Sequence, residues 1–170
     1  MRLDLKTDYA LRTLLYLAGR PGRSSAAEVA RFFQISRGHV AKVVQLLARC
    51  GYVRGIRGVG GGIELARAPE DIRIGQVIVD FEEDLHLLDC VGTPNVCTIQ
   101  PHCKLRAVLA QAERLQLDYL RSVRLSDIVR VGGQLLEITG PERSTGQETP
   151  IKNQASKGSH QEIAVKRRRR

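Results

Sequence analysis

The first recurring pattern of apolar residues along the chain lies in residues 7–18. Leu14 and Leu17 fall on one face at helical spacing, with further leucine and alanine positions beside them. Thr7 or Asp8 stands where a polar side chain can cap the start of a helix. The pattern therefore predicts an amphipathic helix, which a glycine- and proline-containing break then ends.

Two shorter helices follow, separated by a tight turn. Ser25 and Glu28 have the spacing of a capping box, which predicts that the second helix begins at this serine. Ser36 precedes a third apolar stripe, and Gly51 lies where a glycine commonly ends a helix. Two short helices joined by a tight turn are typical of a helix-turn-helix, which we place at Glu28 to Gly51.

Residues 52–65 alternate apolar and basic positions and are rich in glycine. Arg54 and Arg57 lie between apolar residues, and Gly60 and Gly61 belong to the glycine-rich centre of the stretch. Glycine permits a tight turn and a close approach of the backbone to a ligand. After a helix-turn-helix, this pattern predicts the β-hairpin called a wing.

The second half of the chain is predicted to hold a connecting helix at residues 72–81, an irregular loop and an amphipathic helix at residues 104–124. This last helix is longer than the average globular helix. Its apolar stripe exceeds what one small domain buries, which favours a dimerisation helix. The alternative is a helix that packs only on its own domain. A short helix is predicted at residues 125–129.

These elements predict a mainly α fold with a small β-hairpin, namely a winged helix-turn-helix plus a long dimerisation helix. We divide the chain into a winged helix-turn-helix DNA-binding module at residues 1–67, a connecting helix and cysteine cluster loop at 68–103, a dimerisation helix and C-terminal helix at 104–130, and a disordered basic tail at 131–170. The tail either adds nonspecific phosphate contacts or only solubilises the chain.

The distribution of charge identifies the N-terminal part of the chain as a candidate for binding a polyanion. The net charge is +9 over 170 residues, yet residues 1–67 alone carry twelve basic and four acidic side chains. Residues 68–103 are acidic, with one basic and seven acidic side chains. A basic winged helix favours double-stranded promoter DNA as its partner, and a winged helix used for protein contacts is the alternative.

Each part of the winged helix has a predicted role on DNA. The third helix can enter the major groove, about 12 Å wide, and present polar side chains to base edges. The wing can reach phosphates or a narrow minor groove, where negative potential attracts arginine. The candidate contacts are Arg37, His39, Lys42 and Gln45 on the recognition helix and Arg54, Arg57, Gly60 and Gly61 in the wing.

Three of the four cysteines lie close together in the sequence, at Cys90, Cys97 and Cys103. The prolines and glycine between them fit neither a helix nor a strand, so the segment is predicted to be a loop. Three thiolates on one loop offer soft sulfur ligands, which suit iron–sulfur clusters and zinc. A disulfide with one cysteine left over, or inert or redox-active thiols, are the alternatives.

The remaining features narrow the class of protein. The first residues carry charges at short intervals and lack the apolar centre of a secretory signal, and no apolar run is long enough for a membrane helix. We therefore expect a cytoplasmic protein without membrane contact. No serine–histidine–carboxylate set, phosphate-binding loop or HExxH motif in the sequence indicates an enzyme.

The order of these parts resembles a known family. The segment DYALRTLLYLA, the helix-turn-helix, the wing RGVGGGIELAR, the segment PEDIRIGQVI and a three-cysteine loop before a long helix are similar to the winged-helix iron–sulfur repressors that include IscR and NsrR. The resemblance covers residues 1 to about 130. It implies a homodimeric transcription regulator with one iron–sulfur cluster per subunit, of the 2Fe–2S or the 4Fe–4S type, that tunes DNA affinity.

The fourth ligand of the cluster distinguishes branches of this family. IscR-like members carry a histidine three residues after the last cysteine, where this chain has Arg106, which cannot deprotonate to ligate. The nitric-oxide-sensing branch resembles this chain better, and that resemblance implies Asp8 of the partner subunit as the fourth ligand. A helix N-cap is the alternative role of Asp8. His86 and His102 are alternative ligands, whereas Cys50 is predicted to be a small buried residue.

Three functions are consistent with these predictions. The first is a nitric-oxide-sensitive transcriptional repressor that binds promoter DNA as a homodimer in its iron–sulfur form and is released when nitric oxide attacks the cluster. The second is an iron–sulfur-status or redox transcription regulator of the IscR kind. The third is a zinc- or cluster-bearing interaction or electron-carrier module without a role on DNA.

Overall fold

The fold is described from a computed structural model for residues 3–129. Its elements in chain order are α1 (Leu5–Ala18), α2 (Ala26–Phe32), α3 (Arg37–Arg49), β1 (Val53–Ile56), β2 (Gly62–Leu65), α4 (Ile74–Phe81), α5 (Asp89–Gly92), α6 (Lys104–Ser122) and α7 (Leu125–Ile128). The prediction of a mainly α fold with a small β-hairpin and a long helix is confirmed. The tail predicted at residues 131–170 lies outside the described residues.

One apolar core holds the first three helices together. Val40, Val43 and Leu47 of α3 recur at helical spacing and are all buried. They belong to the same buried cluster as Leu14 of α1 and Val29 of α2. Because α3 uses one face for this core, its opposite face is left in contact with solvent.

The chemistry of the helix ends follows the sequence prediction for α2 and α3. The capping box is confirmed, since Glu28 N donates to Ser25 Oγ at 3.2 Å and Ser25 N donates to Glu28 Oε2 at 2.6 Å. Helix α3 stops before Gly51, whose φ of 72° lies in the left-handed region that glycine adopts without strain.

The predicted cap of α1 is wrong. The helix begins at Leu5, and Asp4 occupies the N-cap position. The backbone N–H groups of Thr7 and Asp8 both donate to Asp4 O at 3.0 Å, so neither residue is a cap. Asp4 N in turn donates to Glu82 Oε1 at 2.9 Å. This contact with a residue far along the chain fixes the start of the helix, and the local sequence does not reveal it.

The wing is a two-stranded antiparallel hairpin in which Val53 of β1 lies opposite Leu65 of β2. Ser24, in the connection between α1 and α2, forms an additional bridge to Ile63. Ser24 N donates to Ile63 O at 3.0 Å, and Ile63 N donates to Ser24 O at 2.7 Å. The base of the wing is therefore fixed to the segment that joins α1 and α2, while residues 57–61 at its tip are exposed.

Helix α6 packs along α4, and the chain then returns to the winged helix. Ile74 N donates to Val123 O at 2.9 Å, and Leu125 N donates to Ile72 O at 2.8 Å. Leu125, the first residue of α7, is fully buried. The end of α6 is thus joined to the start of α4, and α7 adds Leu125 to the apolar core. Within residues 3–129, no helix is both long and apolar enough to span a bilayer.

The segment between α4 and α6 contains more regular structure than the sequence predicts. Asp89–Gly92 forms the single helical turn α5, and Gln100–His102 forms a 3₁₀ turn. The prediction of a loop without helix is therefore wrong for these residues. Both turns are too short to show a helical repeat of apolar residues, which explains why the sequence pattern misses them.

Candidate DNA-binding surface and cysteine loop

The outer face of α3 carries the predicted base-contacting side chains. Arg37, His39, Lys42 and Gln45 are all exposed, because they alternate with the buried valine and leucine positions of the same helix. The ring of His39 stacks on Tyr9 of α1, with 6.1 Å between ring centroids and 29° between ring planes. The face of α3 that is predicted to contact DNA is therefore in direct contact with the first helix.

The arginines of the wing are exposed, and an acidic side chain that the sequence reasoning missed holds one of them. Arg54 Nε donates to Glu64 Oε1 at 2.7 Å, and Arg23 Nε donates to Glu64 Oε2 at 3.1 Å. Arg57 is exposed as well. Hydrogen bonds from Arg54 and then Arg23 hold the pKa of Glu64 below its usual value.

Arg23 also reaches the tip of the wing, where its Nη1 donates to Gly60 O at 3.2 Å. The φ angle of Gly60 is 75°, which favours glycine. A Cβ atom at Gly61 would overlap the carbonyl oxygen of Ile56, so only glycine fits the turn there. The tip is thus built for a close backbone turn, as the glycine pattern predicts. The contacts of Arg23 with Glu64 and with the wing tip could not be predicted from the sequence, because neither residue belongs to a recognisable motif.

The base of the wing is connected to α4 through a tyrosine. Tyr52 is buried, and its hydroxyl donates to Asp80 Oδ2 at 2.5 Å. Burial, together with this hydrogen bond, raises the pKa of Tyr52 far above its usual value. The guanidinium carbon of Arg67 lies 4.9 Å from the centre of the tyrosine ring. The hydroxyl of a buried tyrosine at the base of the wing is therefore bonded to an exposed carboxylate on the connecting helix.

Asp8 lies in the first turn of α1, and its side chain is 37% exposed. Its Oδ1 accepts a hydrogen bond from Arg12 Nε at 2.8 Å, one helical turn later. The carboxylate is thus accessible from outside the subunit and already paired with a positive charge. Because Asp4 caps the helix, the N-cap alternative for Asp8 is excluded.

The three clustered cysteines lie on one loop and all carry free thiols. Cys97 is exposed, whereas Cys90 in α5 and Cys103 at the start of α6 are half-buried. Among residues 3–129, no group of three or more Cys, His, Asp or Glu side chains could hold a metal ion. The three cysteines thus share one loop, but their sulfur atoms do not form a closed single-ion site in this conformation.

A buried glutamine joins the three cysteine backbones. Gln100 is 6% exposed, and its Nε2 donates to Cys90 O at 2.7 Å. Gln100 N donates to Cys97 O at 3.1 Å, and Cys103 N donates to Gln100 O at 3.4 Å. Arg106 Nε donates to Cys90 O at 2.8 Å. Three free thiols on one hydrogen-bonded loop fit the sulfur donors that an iron–sulfur cluster requires.

The other predicted ligands are placed differently. His86 Nδ1 lies 3.0 Å from Glu113 Oε2 on α6, so its ring is already engaged by a carboxylate. His102 is exposed in the 3₁₀ turn next to Cys103. Cys50 follows the last residue of α3 and is half-buried, and burial raises the pKa of its thiol. It lies at the end of the recognition helix, outside the cysteine loop.

Helix α6 has two different faces. No residue of the helix is fully buried, although the helix packs along α4 on one side. The other side carries an exposed apolar stripe at the three- and four-residue spacing of a helix–helix seam. Its members are Leu105, Val108, Ala112, Leu115 and Tyr119.

Comparison with known proteins identifies relatives along most of the chain. The sequence model of the Rrf2 family, described as an iron-dependent transcriptional regulator, matches residues 3–131. The HTH-type transcriptional regulator NsrR of Bacillus subtilis is 42% identical over 133 residues, which are 76% of this chain and 91% of that protein. NsrR of Halalkalibacterium halodurans is 41% identical over 132 residues, 76% of this chain and 90% of the relative.

Solved structures share the fold at lower sequence identity. CymR of B. subtilis superposes with a TM-score of 0.63 and 22% identity, covering 75% of this chain and 95% of CymR. T. potens IscR superposes with a TM-score of 0.59 and 21% identity, covering 87% of this chain and 94% of that protein. These similarities and the family match lead to one conclusion: the chain belongs to the Rrf2 family of transcriptional regulators.

Proposed function

We propose that this protein is a nitric-oxide-sensitive repressor that binds promoter DNA as a homodimer in its iron–sulfur form. Membership of the Rrf2 family makes the chain a DNA-binding transcriptional regulator and not an enzyme. The proposal adds the signal, the cluster, the dimer and a cytoplasmic location. It keeps the four-part division of the chain, with residues 1–67 on DNA and residues 104–130 between subunits.

The proposal rests on the loop with three free cysteines, in a chain that is 42% identical to an NsrR protein. Cys90, Cys97 and Cys103 are free, share one loop and are linked through the backbone of Gln100 or its side chain. The B. subtilis relative that bears the name NsrR is 42% identical to this chain. The loop supplies ligands of the right chemistry, and the nitric-oxide signal rests on the resemblance to that branch of the family.

The DNA-binding part of the proposal rests on exposure and charge. The four candidate residues of α3 all point away from the core, and the wing beside them carries exposed arginines. Residues 1–67 are strongly basic. A protein of this kind neutralises phosphates, so its DNA affinity is expected to fall steeply as salt increases.

The homodimer is supported by the exposed stripe on α6. Leu105, Val108, Leu115 and Tyr119 are each 59% to 69% exposed in the single chain. Large apolar side chains in a continuous row mark an interaction surface. A second copy of the same helix offers a matching row, and a twofold pairing places two recognition helices on one DNA molecule.

The residues that would hold the cluster also suggest how it acts. Cys90, Cys97 and Cys103 are the proposed thiolate ligands, and Asp8 of the partner subunit is the proposed fourth ligand. When bound, the cluster supplies iron that reacts with nitric oxide. Asp8 would be the exchangeable ligand, because a hard carboxylate matches iron–sulfide poorly and because Arg12 already binds this carboxylate.

Helix α1 provides the path from Asp8 to DNA. Tyr9, the next residue, stacks on His39 of the recognition helix, and α1 packs directly against α3. Asp8 held by the cluster of the partner subunit would tie α1 to that subunit, whereas Asp8 paired with Arg12 alone would leave α1 without this tie. A coupling of about 1–3 kcal/mol is enough to change DNA affinity about 5–150-fold.

The experiment compares operator binding before and after nitric oxide. The protein is purified anaerobically, its operator is selected from random DNA, and affinity is measured at fixed salt. We expect binding by the iron–sulfur form and a loss of about 5–150-fold after nitric oxide. Unchanged affinity would reject the sensing role.

Two further outcomes would assign the other functions. Binding that follows cluster loading but ignores nitric oxide would indicate a cluster-status regulator of the IscR kind. A colourless zinc protein without salt-dependent DNA binding would indicate an interaction module. Absorbance and Mössbauer spectra of the wild type and of Asp8→Ala would identify the cluster type and the fourth ligand in the same preparation.

A further inference from the structure

The cysteine loop lacks an apolar core. Within residues 88–103, Gln100 is the one buried residue, while Leu88, Val96 and Ile99 are 49%, 48% and 65% exposed. Hydrophobic packing therefore does not determine the shape of this loop. A segment of this length needs another source of order if it is to present three thiols together.

Gln100 supplies that order through all parts of its side-chain amide. Its Nε2 uses both hydrogens, donating to Cys90 O and to Thr93 O at 2.7 Å each. Its Oε1 accepts from Val96 N at 3.1 Å. A buried amide with both donors and its acceptor engaged is strongly fixed, because each lost bond would leave a desolvated polar group. One side chain thus sets the backbone path from the first cysteine almost to the second.

Arg106 fixes the same loop from α6. Its Nε donates to Cys90 O at 2.8 Å, and its Nη2 donates to Val91 O at 3.4 Å. Arg106 lies in the first turn of α6, three residues after Cys103. Its side chain therefore connects Cys90 to this helix. The planar guanidinium makes two contacts in a fixed geometry, which a lysine amine does not reproduce.

We propose that Gln100 and Arg106 are positioning residues that fold the cysteine loop into its ligand-bearing shape before a cluster binds. The inference rests on the proposed function, since it assumes that these cysteines ligate the cluster. Neither residue ligates the cluster in this proposal. Both act by fixing the backbone on which the thiols stand, so that only side-chain rotation remains when the ligands close.

The test uses the full-length protein with Gln100→Leu and Arg106→Lys. Gln116→Leu and Arg114→Lys are matched controls, because they make the same changes at exposed positions of α6. Each protein is reconstituted anaerobically with ferrous iron and sulfide, and iron per subunit is measured during competition with a chelator. We expect the two loop variants to lose about 10–100-fold in apparent iron affinity, the range for groups that orient metal ligands. The controls should match the wild type.

A second measurement examines the loop without a cluster. Cluster-free protein is treated with a thiol-alkylating reagent, and labelling of each cysteine is followed by mass spectrometry. We expect Gln100→Leu to accelerate labelling of the half-buried Cys90 and Cys103 several-fold, because the loop opens. Cys50, at the end of α3, should keep its wild-type rate and so reports on general unfolding.

Wild-type iron affinity in both loop variants would overturn the inference. If Gln100→Leu fails to fold, as judged by circular dichroism, Arg106→Lys decides the outcome. A triple Cys→Ala variant at Cys90, Cys97 and Cys103 separates this inference from the proposed function. Full iron loading of the triple variant would reject the cluster site itself. If the triple variant loses iron while Gln100→Leu and Arg106→Lys load normally, only the positioning role would be rejected.

Discussion

Glu64 of β2 places an acidic side chain between two arginines on the surface proposed to meet DNA. Arg54 uses only Nε for this contact, and Arg23 uses Nε for Glu64 and Nη1 for Gly60 O. Each guanidinium therefore keeps nitrogen atoms available for a phosphate. In this arrangement the carboxylate directs two flexible cations toward a common side of the wing and lowers the entropy that they lose on binding.

We expect Glu64→Gln to weaken operator binding about three- to tenfold, because Arg54 and Arg23 lose their fixed orientation. The direction is informative, since removing a negative charge near DNA should strengthen binding by simple electrostatics. Glu70→Gln makes the same change of charge at an exposed turn and is the control. Affinity would be measured by fluorescence anisotropy, and tighter binding by Glu64→Gln would show that the carboxylate competes with DNA.

Tyr52→Phe should destabilise the fold by about 1.5–3 kcal/mol, the usual contribution of a hydrogen bond to a charged group such as Asp80. The contribution also depends on pH. The folded-state pKa of Tyr52 is raised, so its stabilising effect is complete below the unfolded pKa of about 10 and is lost as the pH rises toward the folded value. Urea unfolding would therefore show a smaller difference between the wild type and the variant above about pH 10.

At the level of secondary structure, the sequence predicts those elements that are determined by residues within the element itself. The stripe of α3 and the capping box at Ser25 lie within one element, so local chemistry identifies them. The start of α1 escapes prediction because it depends on a hydrogen bond to Glu82, far along the chain. Gln100 escapes it too, since a glutamine beside a proline has no periodic signal, and only the folded loop shows what it binds.

The crossing of α4 and α6 depends on one glycine. A Cβ atom at Gly75 would lie 2.5 Å from Arg121 N and 2.8 Å from Leu120 C, so the two helices must separate if the position is filled. We expect Gly75→Ala to lower the free energy of unfolding by about 1–3 kcal/mol. Thermal and chemical denaturation would measure the change.

Gly38 of α3 offers a control in which the same substitution should have the opposite sign. A Cβ atom there would meet only Ser36 Oγ, at 3.7 Å. Alanine should therefore stabilise this helix by about 0.5–1 kcal/mol, from propensity alone. Equal effects of the two substitutions would contradict the close helix crossing at Gly75.

The whole molecule is proposed to be a pair of chains joined along α6. We expect Leu115→Glu to shift sedimentation velocity from dimer to monomer, since an uncompensated charge buried at an interface costs about 3–5 kcal/mol. DNA affinity should fall with it, while the unfolding of the monomer should be unchanged because Leu115 is 60% exposed in the single chain. Gln111→Glu adds the same charge beside Arg114, to which Gln111 is already bonded, and should remain dimeric. A dimeric Leu115→Glu protein would place the subunit contact elsewhere.

The hydrogen bonds that join Ile72 and Ile74 to the residues after α6 have a mechanical consequence for the proposed dimer. They fix the C-terminal end of α6, a helix of 19 residues that is about 28 Å long and whose N-terminal end follows Cys103. A tilt of α6 by about 5° about its C-terminal end displaces its N-terminal end, at the cysteine loop, by about 2.5 Å. In the proposed dimer, a movement of the cysteine loop by about 2.5 Å would therefore rotate the joined end of α6 by about 5° in each subunit, which would change the separation of the half-sites that the pair can span.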